Sequence, residues 1–469
     1  MRTEASGILQ CFSPIDGSLY IERPLLEKGE VQHALTDARN AQKEWARTAL
    51  SDRQHVIQSA IQAMQSLKSE VAMEITHQMG RPLSQSPGEI AGFTERAEAM
   101  NALAPAGLAD VVPESQPGLN RFIRRTPLGV VFIVAPWNYP YLTAVNAVVP
   151  ALLAGNAVLL KHSSQTPLCS ERFVEVFDRA GLPGGLLQAL HLSHSSTLDL
   201  VRRPGVDFVA FTGSVEGGHA IQGAASERFI GTGLELGGKD PAYVAPDARL
   251  AETAIQLADG AFFNAGQSCC GIERIYVHRT VAKQFIEAVV AAALTQCLGD
   301  PRDPDTTLGP MVRESAADFV RGQIQAATAA GARSLIDPAP FEKDALRRNY
   351  LAPQILVDVD HSMQVMTEES FGPVVGIMAV DSDAEAVERM NDSRYGLTAS
   401  IWTSDEDRAL QIGQRLQTGT VFMNRCDYLD PGLAWTGVKD SGRGTTLSTL
   451  GYEVLTRPQS FHFRKHLTP

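Results

Sequence analysis

Between residues 31 and 79, apolar side chains recur at helical spacing, first through Ala34, Ala38, Ala41 and Trp45, then through Val56, Ile57, Ile61 and Met64. This stretch reads as helix that lays one face against a core domain. From Gly129 the pattern changes to short apolar runs at 130–135, 157–161 and 206–212, each followed by Pro, Gly or Ser and a helical stretch. Strands buried on both faces read as unbroken apolar runs, and their alternation with helices is the rhythm of a parallel, doubly wound sheet. A second series begins near Gly237, with helices about residues 251–263 and 281–296 and strands at 274–277 and 374–380. The expected fold class is therefore α/β with two such units, and the Gly237-Gly238 pair marks the joint between them.

Two segments fit neither core. Residues 120–126 are polar and basic, and in the tail from Thr456 the run Ser460-Phe461-His462-Phe463 alternates like an edge strand. Such strands often pair across subunits, so a homodimer or homotetramer is expected.

The chain has 469 residues, 44% hydrophobic and 20% charged, enough for two or three domains with ordinary cores. Its net charge of -12 offers no general attraction to nucleic acid or an anionic membrane, both of which need a basic face. No run reaches the roughly 20 apolar residues needed to cross a bilayer, and residues 1–10 contain no apolar signal core. A cytoplasmic location is expected. The six cysteines, Cys11, Cys169, Cys269, Cys270, Cys297 and Cys426, form no CxxC pair and no His cluster stands at zinc spacing, so neither a disulfide framework nor a metal site is indicated.

Three segments carry candidate chemistry. Phe262-Phe263-Asn264-Ala265-Gly266-Gln267-Ser268-Cys269-Cys270 ends in two adjacent thiols, which alone are most simply two buried cysteines. Gly233-Leu234-Glu235-Leu236-Gly237-Gly238-Lys239 sets one carboxylate in an apolar, Gly-rich strand end, where a capping or paired Glu is the plain alternative. Val134-Ala135-Pro136-Trp137-Asn138-Tyr139-Pro140 holds an amide at a strand terminus between two prolines, alone no more than a rigid turn. Together they supply a thiol nucleophile, a carboxylate base and an amide donor for an oxyanion, the parts needed for covalent chemistry at a carbonyl.

These segments resemble the Asn-bearing PWN loop, the ELGGK motif and the GQxC motif of the aldehyde dehydrogenase superfamily, in the same order and spacing. The resemblance runs from Ser13-Pro14-Ile15-Asp16-Gly17 through Lys161, Phe211-Thr212-Gly213-Ser214 and Glu369-Ser370-Phe371-Gly372-Pro373 to Val438-Lys439-Asp440-Ser441-Gly442. It implies a Rossmann-like cofactor-binding domain (1–108 with 128–236, rejoined by 441–455), an α/β catalytic domain (237–440) and a small β oligomerisation element (109–127 with 456–469).

By the same resemblance Cys269 is the nucleophile, Asn138 the oxyanion donor, Glu235 the base that activates water, and Lys161 a further member of the catalytic set. NAD or NADP is the implied cofactor, with dual use expected. Ser214 and Gly213 would meet the pyrophosphate and Lys161 the adenine ribose, while Glu369 and Phe371 hold the nicotinamide ribose and ring. Val134, Pro136, Trp137 and Leu236 complete the cofactor set. Ser164 stands where strongly NAD-preferring relatives usually carry a Glu that repels a 2′-phosphate, so NADP should be tolerated.

The implied substrate tunnel takes Tyr139, Leu142 and Asn146 from one segment and Phe263, Ser268 and Cys270 from a second. Tyr428, Leu429 and Trp435 come from a third. Succinate-semialdehyde relatives place arginines where this chain has Asn146 and Phe263, although Arg425 could substitute, and betaine-aldehyde relatives usually carry Trp at the place of Asn146. The expectation is a small-molecule substrate, a neutral aliphatic or aromatic aldehyde. The alternatives are a succinate-semialdehyde-type enzyme, a coenzyme-A-acylating dehydrogenase, which typically lacks the Glu235 base, and a non-catalytic structural protein on the same fold.

Overall fold

The computed structural model describes residues 7–346 and 348–465. The first apolar runs form a six-stranded sheet in the order Gly442–Arg443, Gly231–Glu235, Phe208–Thr212, Val130–Ala135, Ala157–His162, Leu187–Ala189. Its sequential strands are parallel, and only Gly442–Arg443 runs antiparallel, along Gly231–Glu235. Every residue of Val130–Ala135 and Ala157–His162 is buried, as strands covered by helices on both faces must be.

The second series builds a seven-stranded sheet ordered Arg333–Ser334, Gln354–Val357, Val374–Val380, Ile272–His278, Asp240–Val244, Thr398–Trp402, Thr420–Met423. It is parallel except at the Arg333–Ser334 edge. The chain leaves the first sheet at Glu235 and begins the second at Asp240, so the Gly237-Gly238 pair lies between the two sheets. The expected helices appear as Leu250–Phe262 and Ala282–Ala293.

The helical stretch expected over 31–79 is three helices, Lys28–Trp45, Leu50–Ser66 and Lys68–Met79. Ala49 is extended, Leu67 leaves helical geometry with ψ at 4°, and the last helix ends on Gly80 in the left-handed region, φ 83°. Apolar spacing does not reveal these breaks, because all three helices bury residues in the same core: Val31, Leu35, Ile57, Ile61, Val71 and Ile75. The strand expected from Val206 starts at Phe208, with Val206 in an isolated bridge to Pro204.

The two outlying segments pair with each other in a two-stranded antiparallel ribbon, Leu119–Pro127 against Thr456–Arg464. Phe122 stacks on Phe461 with ring centroids 4.6 Å apart, and Arg124 lies over both rings. The tail residues 466–469 and residues 1–6 lie outside the described part. No helix among the described residues is long and apolar enough to cross a membrane.

Candidate active site

The loop that delivers the two thiols follows Leu250–Phe262. Asn264, Ala265 and Gly266 all take positive φ, at 53°, 56° and 67°, which turns the chain sharply back on itself. A Cβ at Gly266 would come within 2.3 Å of the Gly372 carbonyl, so only glycine fits there. Gln267 ties the turn together: its amide donates to the Asn264 carbonyl at 3.0 Å, and its Oε1 accepts from the Val312 amide at 2.8 Å.

Asn138 lies three residues beyond the strand Val130–Ala135 and is 4% exposed. Its Nδ2 donates to the Gln267 carbonyl at 3.2 Å, two residues before Cys269. The PWN and GQxC segments are thus brought together by a direct bond. The two thiols differ in setting. Cys270 is buried and donates to Asp427 Oδ1 at 3.1 Å, and the adjoining Cys269 thiol, burial and the Asp427 carboxyl push it well above the usual thiol range. Cys269 is half-buried and so open to a substrate.

Glu235 closes the strand Gly231–Glu235. Thr446 donates to its Oε1 at 2.6 Å and Thr212 to its Oε2 at 3.3 Å. Burial raises its pKa above the ordinary glutamate value, while the two threonine bonds and the Arg96 charge pull it down. A cavity of about 30 Å³ beside it is lined in part by Val134, Thr143, Asn146, Thr212, Glu235 and Thr446. That is room for a water, and the Asn146 amide, 2% exposed with neither polar atom hydrogen-bonded, needs such a partner.

The glycines of the ELGGK segment permit close approach. A Cβ at Gly237 would fall 2.3 Å from the Glu369 carboxylate, and one at Gly238 would fall 2.5 Å from the Cys269 carbonyl. The Gly238 amide donates to Glu369 at 3.0 Å. Lys239 forms a buried ion pair with Glu273, which accepts the amides of Ser370 and Phe371 at 2.8 and 2.9 Å. One lysine in the motif thereby sets the loop that carries Glu369 and Phe371. Burial, reinforced by the neighbouring Glu273 charge, lifts the Glu369 pKa to about 8.

The residues expected to hold a dinucleotide lie along the ends of the first sheet. Lys161 is in register with Val134 on the adjoining strand, and Ser164 is exposed just beyond it. Pro136 and Trp137 follow the strand, and Trp137 meets Phe371 edge to face with centroids 5.6 Å apart. Leu236 is buried and donates its amide to the Ser441 carbonyl at 3.0 Å. Ser214 caps the helix Val215–Ala225, accepting from the Gly217 amide at 3.1 Å. Side chains at Gly213 or Gly217 would put a Cβ 2.7 or 2.6 Å from the Phe211 ring, so this helix start stays clear for a phosphate. The donor set fits a dinucleotide.

Of the residues expected to line the tunnel, Tyr139 lies 4.4 Å beneath the Arg81 guanidinium. Leu142 packs on Gly92, where a Cβ would come within 2.2 Å of its side chain. Ser268 donates to Asp427 at 2.7 Å, and the Tyr428 hydroxyl donates to Glu95 at 2.8 Å. Phe263 begins the turn before Cys269, Leu429 packs at the edge of the first core, and buried Trp435 pairs through its main chain with Thr446. Arg425 stacks on Tyr428, 3.4 Å from its centroid.

Sequence reasoning missed several groups. Arg81, 2% exposed, bonds the Asn138 carbonyl, Asn264 Oδ1 and Glu89 Oε1 together. Glu89 also accepts the amides of Tyr141 and Leu142 at the start of the helix Pro140–Leu153. Arg96, Glu273, Asp427 and Thr446 were missed likewise. Each is a single polar residue whose partners lie far along the chain, and no local pattern marks it.

A model described as the aldehyde dehydrogenase family matches residues 2–461. The chain is 34% identical to the NAD(P)+ succinate semialdehyde dehydrogenase Sad of Escherichia coli (strain K12), over 94% of each chain. It is 34% identical to the 3,6-anhydro-alpha-L-galactose dehydrogenase of Streptomyces coelicolor, covering 98% of this chain and 93% of that one. Among solved structures, the NADP complex of an NADP-dependent glyceraldehyde-3-phosphate dehydrogenase from Bacillus halodurans superposes with a TM-score of 0.92. It is 32% identical, covering 99% of this chain and 97% of the other.

Proposed function

This chain belongs to the aldehyde dehydrogenase family, and on that footing we propose that it oxidises an aldehyde to the carboxylic acid through a covalent intermediate on Cys269. The observation that carries this assignment is the bond from Asn138 to the Gln267 carbonyl, which ties an amide donor to the loop two residues before half-buried Cys269 while the Cys270 thiol is engaged by Asp427.

In this reading Cys269 adds to the aldehyde carbon and forms a thiohemiacetal. The developing oxyanion accepts from Asn138 Nδ2 and the Cys269 backbone amide, and such a donor is worth about 3 kcal/mol. NAD or NADP, when bound, supplies the hydride acceptor. Gly213, Ser214, Lys161 and Ser164 would hold its phosphates and adenine ribose, and Glu369, Phe371, Trp137, Pro136, Val134 and Leu236 its nicotinamide end. Glu235 takes a proton from a water that attacks the Cys269 thioester and releases the acid. Retention of that carboxylate supports hydrolysis over transfer to coenzyme A. Tyr139, Leu142, Phe263, Leu429 and Trp435 support an aliphatic or aromatic substrate body.

The domain assignment is part of the same proposal. Residues 1–108, 128–236 and 441–455 form the cofactor domain and 237–440 the catalytic domain, with 109–127 and 456–469 the assembly ribbon. The two sheets and the separate ribbon support it. The ribbon's stacked phenylalanines support a homodimer or homotetramer. Six free cysteines support residence in the reducing cytoplasm.

The test is a panel of straight-chain, aromatic, amino and carboxy aldehydes with NAD and with NADP, with Cys269→Ala as the blank. Expected is Cys269-dependent formation of reduced cofactor and free acid, and in Glu235→Gln an initial burst followed by slow turnover. Acyl-coenzyme A as the product, or full steady turnover in Glu235→Gln, would sink the mechanism.

A further inference from the structure

Arg96, in the helix Gly88–Gly107, is a buried cation without a counter-ion. It is 8% exposed, and among the described residues its one hydrogen bond runs from Nη1 to the Leu142 carbonyl at 2.6 Å. Among those residues Nε and Nη2 have no protein acceptor, and no carboxylate lies within ion-pair distance. Burial pulls its pKa down, against the pull of Glu89, Cys270, Glu235 and Glu95, which raise it.

The carboxyl groups that feel this charge have other partners, Glu95 among them, which accepts from the Tyr428 hydroxyl. Glu89 is bonded to Arg81 and two backbone amides, Asp427 to Ser268 and Cys270, and Glu235 to Thr446 and Thr212. The Arg96 charge acts at Glu235, Asp427 and Cys270, which come from three separate segments around the approach to Cys269. The guanidinium is held at one nitrogen by Leu142, a residue of the expected tunnel wall, and among the described residues its Nε–Nη2 edge is unpaired. That edge has two donors to offer a ligand.

We propose that Arg96 anchors a carboxylate carried at the far end of the aldehyde substrate. The Nε and Nη2 donors form the fork that takes a carboxylate side-on through two parallel bonds. This rests on the Cys269 dehydrogenase reading and revises the expectation of a wholly neutral substrate. It also moves the anchoring cation from Arg425, which is exposed and stacked on Tyr428.

The experiment compares an aldehyde ending in a carboxylate, 4-oxobutanoate, with its neutral amide, on the native enzyme, Arg96→Gln and Arg96→Lys. The native enzyme should favour the carboxylate through KM, and the kcat/KM ratio should fall by roughly 30-fold in Arg96→Gln, with Arg96→Lys between. No preference in the native enzyme, an unchanged ratio in Arg96→Gln, or a stronger preference for a phosphorylated aldehyde would overturn the anchor while leaving the dehydrogenase intact. An equal loss of kcat on both substrates with a shifted pH profile would also overturn it, since Arg96 would then act through Glu235. Lack of Cys269-dependent turnover on any aldehyde would instead overturn the dehydrogenase reading, and the anchor with it. Should Arg96→Gln not fold, inhibition of the native enzyme decides: succinate must compete with aldehyde at least tenfold better than succinamide, and parity overturns the anchor.

Discussion

Arg81 and Glu89 form an ion pair at 2.7 Å with side chains only 2% and 0% exposed, and together they join the Asn138 loop, the Asn264 turn and the start of the helix Pro140–Leu153. Breaking a buried pair leaves the surviving charge unpaired and typically costs about 3–5 kcal/mol. Glu89→Gln or Arg81→Met should therefore lower the unfolding free energy, read by denaturant titration, by an amount of that order. In whatever fraction folds, kcat should fall more than cofactor affinity, because Asn138 loses its support. An unfolding free energy within about 0.5 kcal/mol of native would contradict the role given to the pair.

The base should respond to Thr446. Burial raises the Glu235 pKa, and the Thr446 bond, which stabilises the ionised form, holds it down. Deacylation needs the carboxylate, so its rate rises with pH through this pKa. Thr446→Val removes the stabilising donor and should move that limb to higher pH, with the rate at high pH retained. Single-turnover deacylation from pH 5 to 9 gives the shift, and a limb that stays in place or moves down refutes the linkage.

Glu369 should make the cofactor-free enzyme sensitive to pH. Its folded pKa of about 8 lies above the ordinary glutamate value of 4.5. The folded state thus holds a proton that the unfolded chain has released, and this group's contribution to stability falls as pH rises between those values, then levels off. Glu369→Gln lacks this penalty, so its Tm relative to native should climb from pH 5 to pH 8 and stay constant above. A difference independent of pH would show that Glu369 is ionised throughout.

Cofactor choice should turn on Ser164, exposed just beyond the strand that carries Lys161. Ser164→Glu introduces a charge that repels a 2′-phosphate and binds ribose hydroxyls. NADP kcat/KM should drop by at least tenfold, with NAD much less affected. Equal changes with the two cofactors would remove Ser164 from the adenosine site.

Much of the site was legible because its chemistry is carried by contiguous motifs. Asn138, Glu235 and Cys269 each stand in a short run whose glycines and prolines serve the same loop, so residue type and backbone requirement coincide. Gly237 and Gly238 are the clearest instance, since each must admit another group where a Cβ would stand. The supporting shell was not legible. Asp427 is contributed 157 positions along the chain from Cys270, and Thr446 lies 211 positions from Glu235.

The chain's apolar runs and helical spacing, by themselves, determined two parallel α/β units and an outlying strand pair, because buried strands and amphipathic helices need those patterns wherever they pack. Its motifs supplied the candidates proposed as nucleophile, base and oxyanion donor. Only the tertiary structure decided where the helical stretch over 31–79 breaks, which partner each outlying strand takes and which buried charges are paired. It sets Glu89 beside Arg81 and, among the described residues, leaves Arg96 bonded only to the Leu142 carbonyl. The energy of a buried charge depends on the groups within a few ångströms of it in space, and a linear sequence does not contain those distances.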